Sequence, residues 1–211
     1  MATIKQALKY PFINFARLWN YWWFLVPLWG WLVVNGYVVR IINEIRKGKS
    51  EELPAIRPFK GLFETGFFLG IALLVPGLTA FLLTFLWGWL RILAVYLILI
   101  TPVLVLQFTE KRRIRDGMNV LAATKLVFTH FGLFVLTWLK TAVVIIVWAL
   151  ASLPVITLLI TLPAITFGKY RLFTDFYVQA TEVQKKKEKA ARRQAIEKDI
   201  SVSISFKKRG K

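Results

Sequence analysis

The sequence predicts an all-α, polytopic integral membrane protein built from helical hairpins and interfacial amphipathic helices, with a basic cytoplasmic tail. Hydrophobic residues make up 57% of its 211 residues, and 29 Lys and Arg outnumber 11 Asp and Glu. The stretch 67–108 holds one formal charge, Arg91. As a single helix that stretch would be about 63 Å long at roughly 1.5 Å per residue, twice the roughly 30 Å hydrocarbon core of a bilayer.

The stretch 67–108 therefore predicts two spans, at about 67–85 and 90–108, joined by a tip at Trp87–Arg91. Trp and Arg side chains favour the water interface, which suits this tip. Pro76-Gly77 is a competing turn, but it would leave a first arm too short to cross. We expect Pro76 to lie within the first span instead, because helices in lipid tolerate Pro when neighbours re-satisfy the freed carbonyl.

The N-terminal region offers two pairs of alternatives. Residues 2–17 have apolar side chains at helical spacing, which indicates either a packed lead-in helix or an in-plane membrane anchor. Residues 18–42 are long enough for one span. Their many Trp residues also favour a re-entrant hairpin turning near Pro27–Gly30. A single span at 18–42 gives five crossings in all, whereas a re-entrant hairpin there gives a protein of three hairpins.

The second half of the chain predicts another hairpin. A Ser-Leu-Pro step after Ala151 divides the apolar run into spans at about 131–150 and 154–177. An interfacial amphipathic helix at Met118–Phe128 precedes them, with Lys125 on its polar side. Residues 1–177 thus form the predicted membrane domain. Residues 178–211 form a basic tail that would be hard to translocate, so we expect a multi-pass protein of the cell membrane with a cytoplasmic C-terminus.

Basic residues in the two connections and in the tail are the predicted lipid-interface positions. They are Arg40, Arg46, Lys47, Arg112, Arg113, Arg115, Lys185, Lys186 and Lys187. Basic connections on both sides of the 67–108 hairpin require an even number of crossings between them, and the hairpin supplies two. All these cations are therefore expected on one side of the membrane.

Few residues suggest chemistry. The chain has no Cys and one His, and it shows no phosphate-binding loop, dinucleotide-binding glycines, metal-ligand set or nucleophile–base pair. We expect no enzyme, no cofactor and no metal. Lys140 is the predicted intramembrane polar residue, and Arg171 and Asp175 are expected to form a surface ion pair. Gly36 and Gly66 are predicted helix-packing positions.

The tail has two parts. Residues 178–200 contain strong helix formers and predict an extension of the last span. Residues 201–206 alternate apolar and polar side chains, as is typical of a strand, but we expect them to be disordered.

Several segments resemble a family of polytopic membrane proteins of unknown function, found mostly in archaea and some bacteria. They are ALKYPF near the N-terminus, NGYVVR at Asn35–Arg40, GKSEELP at Gly48–Pro54, FxxG at Phe63–Gly66 and RxxxG at Arg113–Gly117. The resemblance covers about residues 4–177. It implies a multi-span fold, and it supplies no activity and no catalytic residues.

The expected function is a non-enzymatic membrane scaffold or accessory subunit that also shapes the membrane. Its basic tail would bind anionic lipid or a partner protein, and other membrane or cytoplasmic proteins or a second copy are further expected partners; nucleic acid is not expected. The alternative is a channel or small-solute transporter, with a path lined by Lys140 and the hydroxyls of Thr84, Thr101, Thr137 and Thr141. No Asp or Glu lies at a predicted span centre, which counts against ion-coupled transport.

Overall fold

A computed structural model describes residues 2–26, 29–49, 53–85, 88, 90–152 and 158–209. The chain divides into two compact units, Met1–Tyr177 and Val178–Lys211. Regular structure within the described residues is helical throughout, as the all-α class predicts. The α-helices are α1 (Ile4–Lys9), α2 (Phe15–Leu18), α3 (Trp29–Arg46), α4 (Phe59–Phe85), α5 (Leu90–Lys111), α6 (Ile114–Gly117), α7 (Val120–Thr129), α8 (Phe131–Ala151) and α9 (Leu158–Arg209).

Helices α4, α5 and α8 are long and apolar enough to cross a membrane. Among the described residues, these three meet that criterion where the sequence predicts five apolar segments. The part of α9 within the predicted span 154–177 is not one of them, because Lys169, Arg171 and Asp175 fall within it. Residues 154–157 lie outside the described residues.

The central hairpin is confirmed. Helix α4 ends at Phe85 and α5 begins at Leu90, and α4 continues through Pro76, so Pro76-Gly77 is not a turn. Between the helices Gly88 has a φ of +73°, a backbone conformation that glycine adopts without steric cost. Trp87 and Trp89 of the predicted tip lie outside the described residues.

Residues 18–42 do not form the one continuous helix that a single span would need. Residues Trp19–Leu25 form a 3₁₀-helix, and α3 begins only at Trp29. The two pieces pack against each other so closely that a Cβ added to Gly30 would lie 1.5 Å from the Trp23 carbonyl oxygen. This fold-back near Gly30 agrees with the re-entrant alternative, although Pro27 itself lies outside the described residues.

The N-terminal region packs against the bundle, as the lead-in alternative expects, and the in-plane anchor stays a prediction. Thr3 caps α1 through a reciprocal pair of hydrogen bonds with Gln6. Ala7 and Tyr10 are buried, and Ala7 packs in one apolar cluster with Val144 of α8 and Leu172 of α9. Helix α1 therefore presents one face to the bundle interior and keeps its lysines outside.

Helices α8 and α9 run antiparallel within the first unit. Phe134 and Trp138 of α8 meet Phe173 of α9 at ring-centroid distances of 6.3 and 5.1 Å, and Phe134 also meets Phe176. An apolar core cluster joins this side to α3, where Tyr37 packs edge-on to Phe167 at 5.8 Å. The buried segment of α9 is thus central to the packing of the first unit.

Apolar side chains cover much of the outer surface. Of the most apolar window of each helix, 61% is buried in α5 but only 28% in α4 and 22% in α8. The predicted amphipathic helix at Met118–Phe128 corresponds to α7, yet its outward residues include Leu121 and Phe128, which are 83% and 65% exposed. Lys125 is exposed beside them, so the outer surface of α7 carries both apolar and basic side chains, and its interfacial amphipathic role stays a prediction.

The second unit is helical along its described backbone, because α9 ends at Arg209. Residues 201–206 are part of this helix. The strand pattern there is wrong, because an alternating pattern of six residues does not override the helix that precedes it, while the expected disorder stays a prediction.

Candidate functional site

Three predicted lipid-interface cations converge on one cavity of about 290 Å³ in the first unit. Arg40 and Lys47 come from α3 and its C-terminal end, and Arg112 follows α5. The cavity is bounded by the C-terminal ends of α3 and α5 and the first turns of α4. Its lining residues are Gly36, Val39, Arg40, Asn43, Glu44, Lys47, Pro58, Gly61, Leu62, Thr65 and Arg112.

The close crossing of α3 and α4 positions this cavity. A Cβ on Gly36 would lie 1.9 Å from the Leu62 carbonyl oxygen, and one on Gly66 would lie 1.8 Å from the Leu32 carbonyl oxygen. The two backbones therefore pack in direct contact at both predicted packing positions. Arg40 lies four residues after Gly36, on the same face of α3, and so comes beside the start of α4.

The segment before α4 is held by side chains of α3. Arg40 Nη1 donates hydrogen bonds to the carbonyl oxygens of Ala55, at 2.8 Å, and Arg57, at 2.7 Å. The Tyr37 hydroxyl donates to the Pro54 carbonyl oxygen at 2.8 Å. These bonds fix the chain that leads through Pro58 into α4, and with it one wall of the cavity.

Arg112 enters the cavity from an unusual backbone conformation. Its φ is +52°, in the left-handed region that costs a non-glycine residue about 1–2 kcal/mol, and its N–H donates to the Phe108 carbonyl oxygen at 2.7 Å. Its guanidinium makes no hydrogen bond or ion pair with the described part of the chain. A cation also suits this position because the carbonyl end of α5 is electronegative.

The cavity is electropositive. Glu44 is the single carboxylate among its lining residues, and it pairs with Lys47 at 3.0 Å. The Asn43 side-chain amide has no hydrogen-bond partner among the described residues. Three cations against one carboxylate favour an anion, and a lone carboxylate does not suit a divalent cation. Among the described residues no group of three metal-ligating side chains occurs.

Next to the cavity, Arg46 joins a network that the sequence analysis missed. Arg46 Nη2 lies 3.4 Å from Glu110 Oε1, and the Tyr177 hydroxyl donates to Glu110 Oε2 at 2.6 Å. The Arg46 guanidinium carbon also lies 6.0 Å from the centre of the Tyr177 ring. Arg46 therefore ties α3 to α5 and α9. Only the position of Glu110, a carboxylate at the end of a long apolar run, could have indicated this network.

The other predicted interface cations lie elsewhere. Arg113 and Arg115 are exposed on the connection from α5 to α7. In the second unit Lys185 and Lys186 are exposed, and the side chain of Lys187 lies outside the described residues.

Charged side chains deep in the first unit serve packing contacts. Lys140 Nζ donates to the Ala2 carbonyl oxygen at 3.2 Å. Arg171 and Asp175 pair at 2.9 Å as predicted, but with side-chain exposures of 13% and 21% the pair is largely buried rather than on the surface.

The Tyr10 hydroxyl has no partner among the described residues, and burial raises the pKa of Tyr10 well above its usual value.

Comparisons with models of protein families, with curated proteins and with solved structures found no match. The resemblance to a family of polytopic membrane proteins thus stays a prediction.

Proposed function

We propose that this chain is a non-enzymatic integral membrane scaffold or accessory subunit whose basic end binds anionic lipid headgroups. One observation carries the proposal: the two basic connections that flank the α4–α5 hairpin meet at the same end of it. Arg46 of the first pairs with Glu110 at the end of α5, and Arg112 of the second shares a cavity with Arg40 and Lys47.

The apolar surface supports membrane embedding. The exposed sides of α4 and α8 carry large aliphatic and aromatic side chains, and a soluble monomer rarely exposes contiguous apolar patches of that extent. With these helices in lipid, the end of the hairpin that carries the connections comes to lie at the headgroup level. Each Lys or Arg near an anionic surface contributes about 1 kcal/mol of attraction.

The tail supplies further cations. Lys185, Lys186 and Lys187 would add to the attraction for anionic lipid in the cytoplasmic leaflet or bind an acidic partner protein. The Trp-rich segment before α3 and the in-plane amphipathic segments would also crowd one leaflet and so shape the membrane. Self-association through exposed apolar faces fits the same function.

The channel alternative finds no support in the placement of its candidate residues. Thr84, Thr101, Thr137 and Thr141 each donate their hydroxyl to a carbonyl of their own helix. Neither they nor Lys140 line the cationic cavity. A path for water or solute would need these groups to face a shared space.

Tryptophan quenching tests the lipid preference, since the chain has 9 Trp. The protein is reconstituted with brominated phosphatidylglycerol or brominated phosphatidylcholine at equal mole fraction. We expect stronger quenching by the anionic lipid at low salt and a smaller difference at high salt, because salt screens exposed charges. Equal quenching by both lipids at low salt would refute the proposal.

Two further measurements test the scaffold role. Deletion of residues 178–211 should reduce the preference for anionic lipid while the membrane unit stays folded. Vesicle size and shape at high protein loading test membrane shaping, and unchanged vesicles would count against it. Co-purification from native membrane would identify the partners of an accessory subunit.

A further inference from the structure

We propose that the cavity between α3, α4 and the end of α5 is a binding site for one phosphate group. This inference rests on the proposed function for the choice of ligand. It adds a single saturable site to the diffuse attraction of the basic residues for anionic lipid. A phosphate can come from a lipid headgroup or from a free phosphate compound, and the chemistry of recognition is the same for both.

The arrangement of donors carries the inference. Arg40, Lys47 and Arg112 approach the cavity from three separate places in the chain, so the tertiary fold alone creates the cluster. Phosphate oxygens accept charge-assisted hydrogen bonds, which are about twice as strong as neutral ones. The Arg112 guanidinium makes no bond to the described part of the chain and is therefore available to such a ligand.

The first turn of α4 adds a second source of donors. Pro58, Gly61 and Leu62 line the cavity, so the start of a 27-residue helix opens on it. The first N–H groups of a helix have no carbonyl partner within it, and together with the helix dipole they favour an anion. Here that general preference coincides with three cationic side chains.

The size of the cavity limits the ligand. At about 290 Å³ it lies at the lower end of the roughly 300–1,000 Å³ range of small-molecule pockets. It therefore suits a phosphate with a small substituent rather than a large cofactor. Glu44 would repel a phosphate, but it already pairs with Lys47, and the remaining two arginines keep the site positive.

Calorimetric titration in an uncharged detergent tests the site. The probes are dihexanoyl phosphatidic acid, glycerol phosphate, inorganic phosphate and dihexanoyl phosphatidylcholine. We expect saturable one-to-one binding of at least one phosphate monoester or of inorganic phosphate. Binding of phosphatidic acid alone identifies a lipid headgroup as the source, whereas comparable binding of the soluble phosphates identifies a free phosphate.

Paired variants locate the binding. Arg112→Gly removes the guanidinium at a backbone position that glycine accepts, and Lys47→Gln removes the second cation. Gly61→Leu fills the cavity, since a Cβ at Gly61 meets no atom within 4 Å. We expect each to weaken binding about tenfold or more, the first two because a charge-assisted hydrogen bond is lost and Gly61→Leu because its side chain takes the place of the ligand. The unfolding temperature without ligand checks that each variant is folded.

The controls make the same chemical changes outside the cavity. Arg113→Gly, Arg115→Gln and Gly77→Leu should bind within about twofold of the wild type, because Gly77 is as open as Gly61 and none of the three residues lines the cavity. Three results would overturn the site: no saturable binding of any phosphate, unchanged binding in the cavity variants, or equal losses in the controls.

These failures are distinguishable from failure of the proposed function. Should the quenching preference for anionic lipid persist without saturable phosphate binding, only the site is refuted. Should phosphate bind in the cavity without any preference for anionic lipid in vesicles, only the membrane role of the basic end is refuted.

Discussion

The Tyr177 hydroxyl donates a 2.6 Å hydrogen bond to Glu110 Oε2, while Glu110 Oε1 lies 3.4 Å from Arg46 Nη2. One carboxylate thus joins α3, α5 and α9, which are far apart in the chain. The network lies at the end of α5 and is only 22–24% exposed at its two charged side chains. It therefore holds together the elements that shape the neighbouring cavity.

Removal of the Tyr177 hydroxyl tests this network. Tyr177→Phe should lower the free energy of unfolding by about 1.5 kcal/mol, because a hydrogen bond to a charged acceptor is lost while the ring stays. Thermal unfolding in detergent measures the change. Tyr96→Phe is the control, since the Tyr96 hydroxyl bonds to the neutral Thr124 hydroxyl and its loss should cost about 1 kcal/mol or less. A larger effect in the control would contradict the role given to Glu110.

The close crossing of α3 and α4 predicts that one methyl group added at the contact destabilises the protein. Gly36→Ala and Gly66→Ala place a Cβ within 2 Å of a backbone oxygen of the facing helix, so the helices must move apart. We expect a loss of at least about 1–3 kcal/mol, as overpacking causes. Gly77→Ala meets no atom within 4 Å and should stabilise α4 by about 0.5–1 kcal/mol. Equal effects at the three positions would refute the close crossing.

Arg112 predicts an increase in stability on substitution by glycine. Relief of the left-handed conformation is worth about 1–2 kcal/mol, and the added freedom of the unfolded chain offsets about 0.4–1 kcal/mol of it. Arg112→Gly should therefore raise the unfolding free energy by roughly 0.5–1 kcal/mol. Arg113→Gly, at a φ of −113°, has no such relief and should be neutral or destabilising. A less stable Arg112→Gly variant would show that the guanidinium itself holds the fold.

The bond from Lys140 to the N-terminus predicts a local effect. Lys140→Met keeps most of the side-chain volume and removes the donor to the Ala2 carbonyl oxygen. Amide hydrogen exchange should become faster at residues 3–9 and stay unchanged in α4 and α5, because the lost hydrogen bond holds only the segment that leads into α1. Uniformly faster exchange would indicate that Lys140 supports the whole bundle instead.

Sidedness can be measured with single cysteines, since the natural chain has none. Lys49→Cys and Arg113→Cys lie at the end of the α4–α5 hairpin that carries the connections, and Arg91→Cys lies near its tip. An impermeant thiol reagent added to sealed vesicles should label the first two from one side and the third from the other. Labelling of positions 49 and 113 from opposite sides would refute the arrangement.

The hairpin shows why part of the fold can be derived from sequence. A long apolar stretch interrupted only near Arg91 fits a bilayer of fixed thickness as two helices, and the facing ends of α4 and α5 at Phe85 and Leu90 follow from this. The start of α4 at Phe59, eight residues before the predicted span, does not. The helical class does follow, because backbone groups in lipid must find partners within their own helix. These are local constraints, which a sequence displays directly.

Other features depended on contacts between distant segments. The packing of Trp19–Leu25 against α3 requires a glycine at position 30, because a side chain there would clash with the Trp23 carbonyl. The packing of α1 requires the groove between α8 and α9. Periodicity indicates which face of a segment is apolar, but it does not identify the surface that will cover it.

The amino-acid sequence alone determined the helical, membrane-like character of the chain and the gathering of its cations into two connections and a tail, because hydrophobicity and charge are properties of each residue. Tertiary structure decided which of those cations act together. Arg40, Lys47 and Arg112 share a cavity because two glycines let α3 and α4 touch, and Arg46 is drawn to Glu110 instead. Such selection depends on distances in space, which no spacing along the chain encodes.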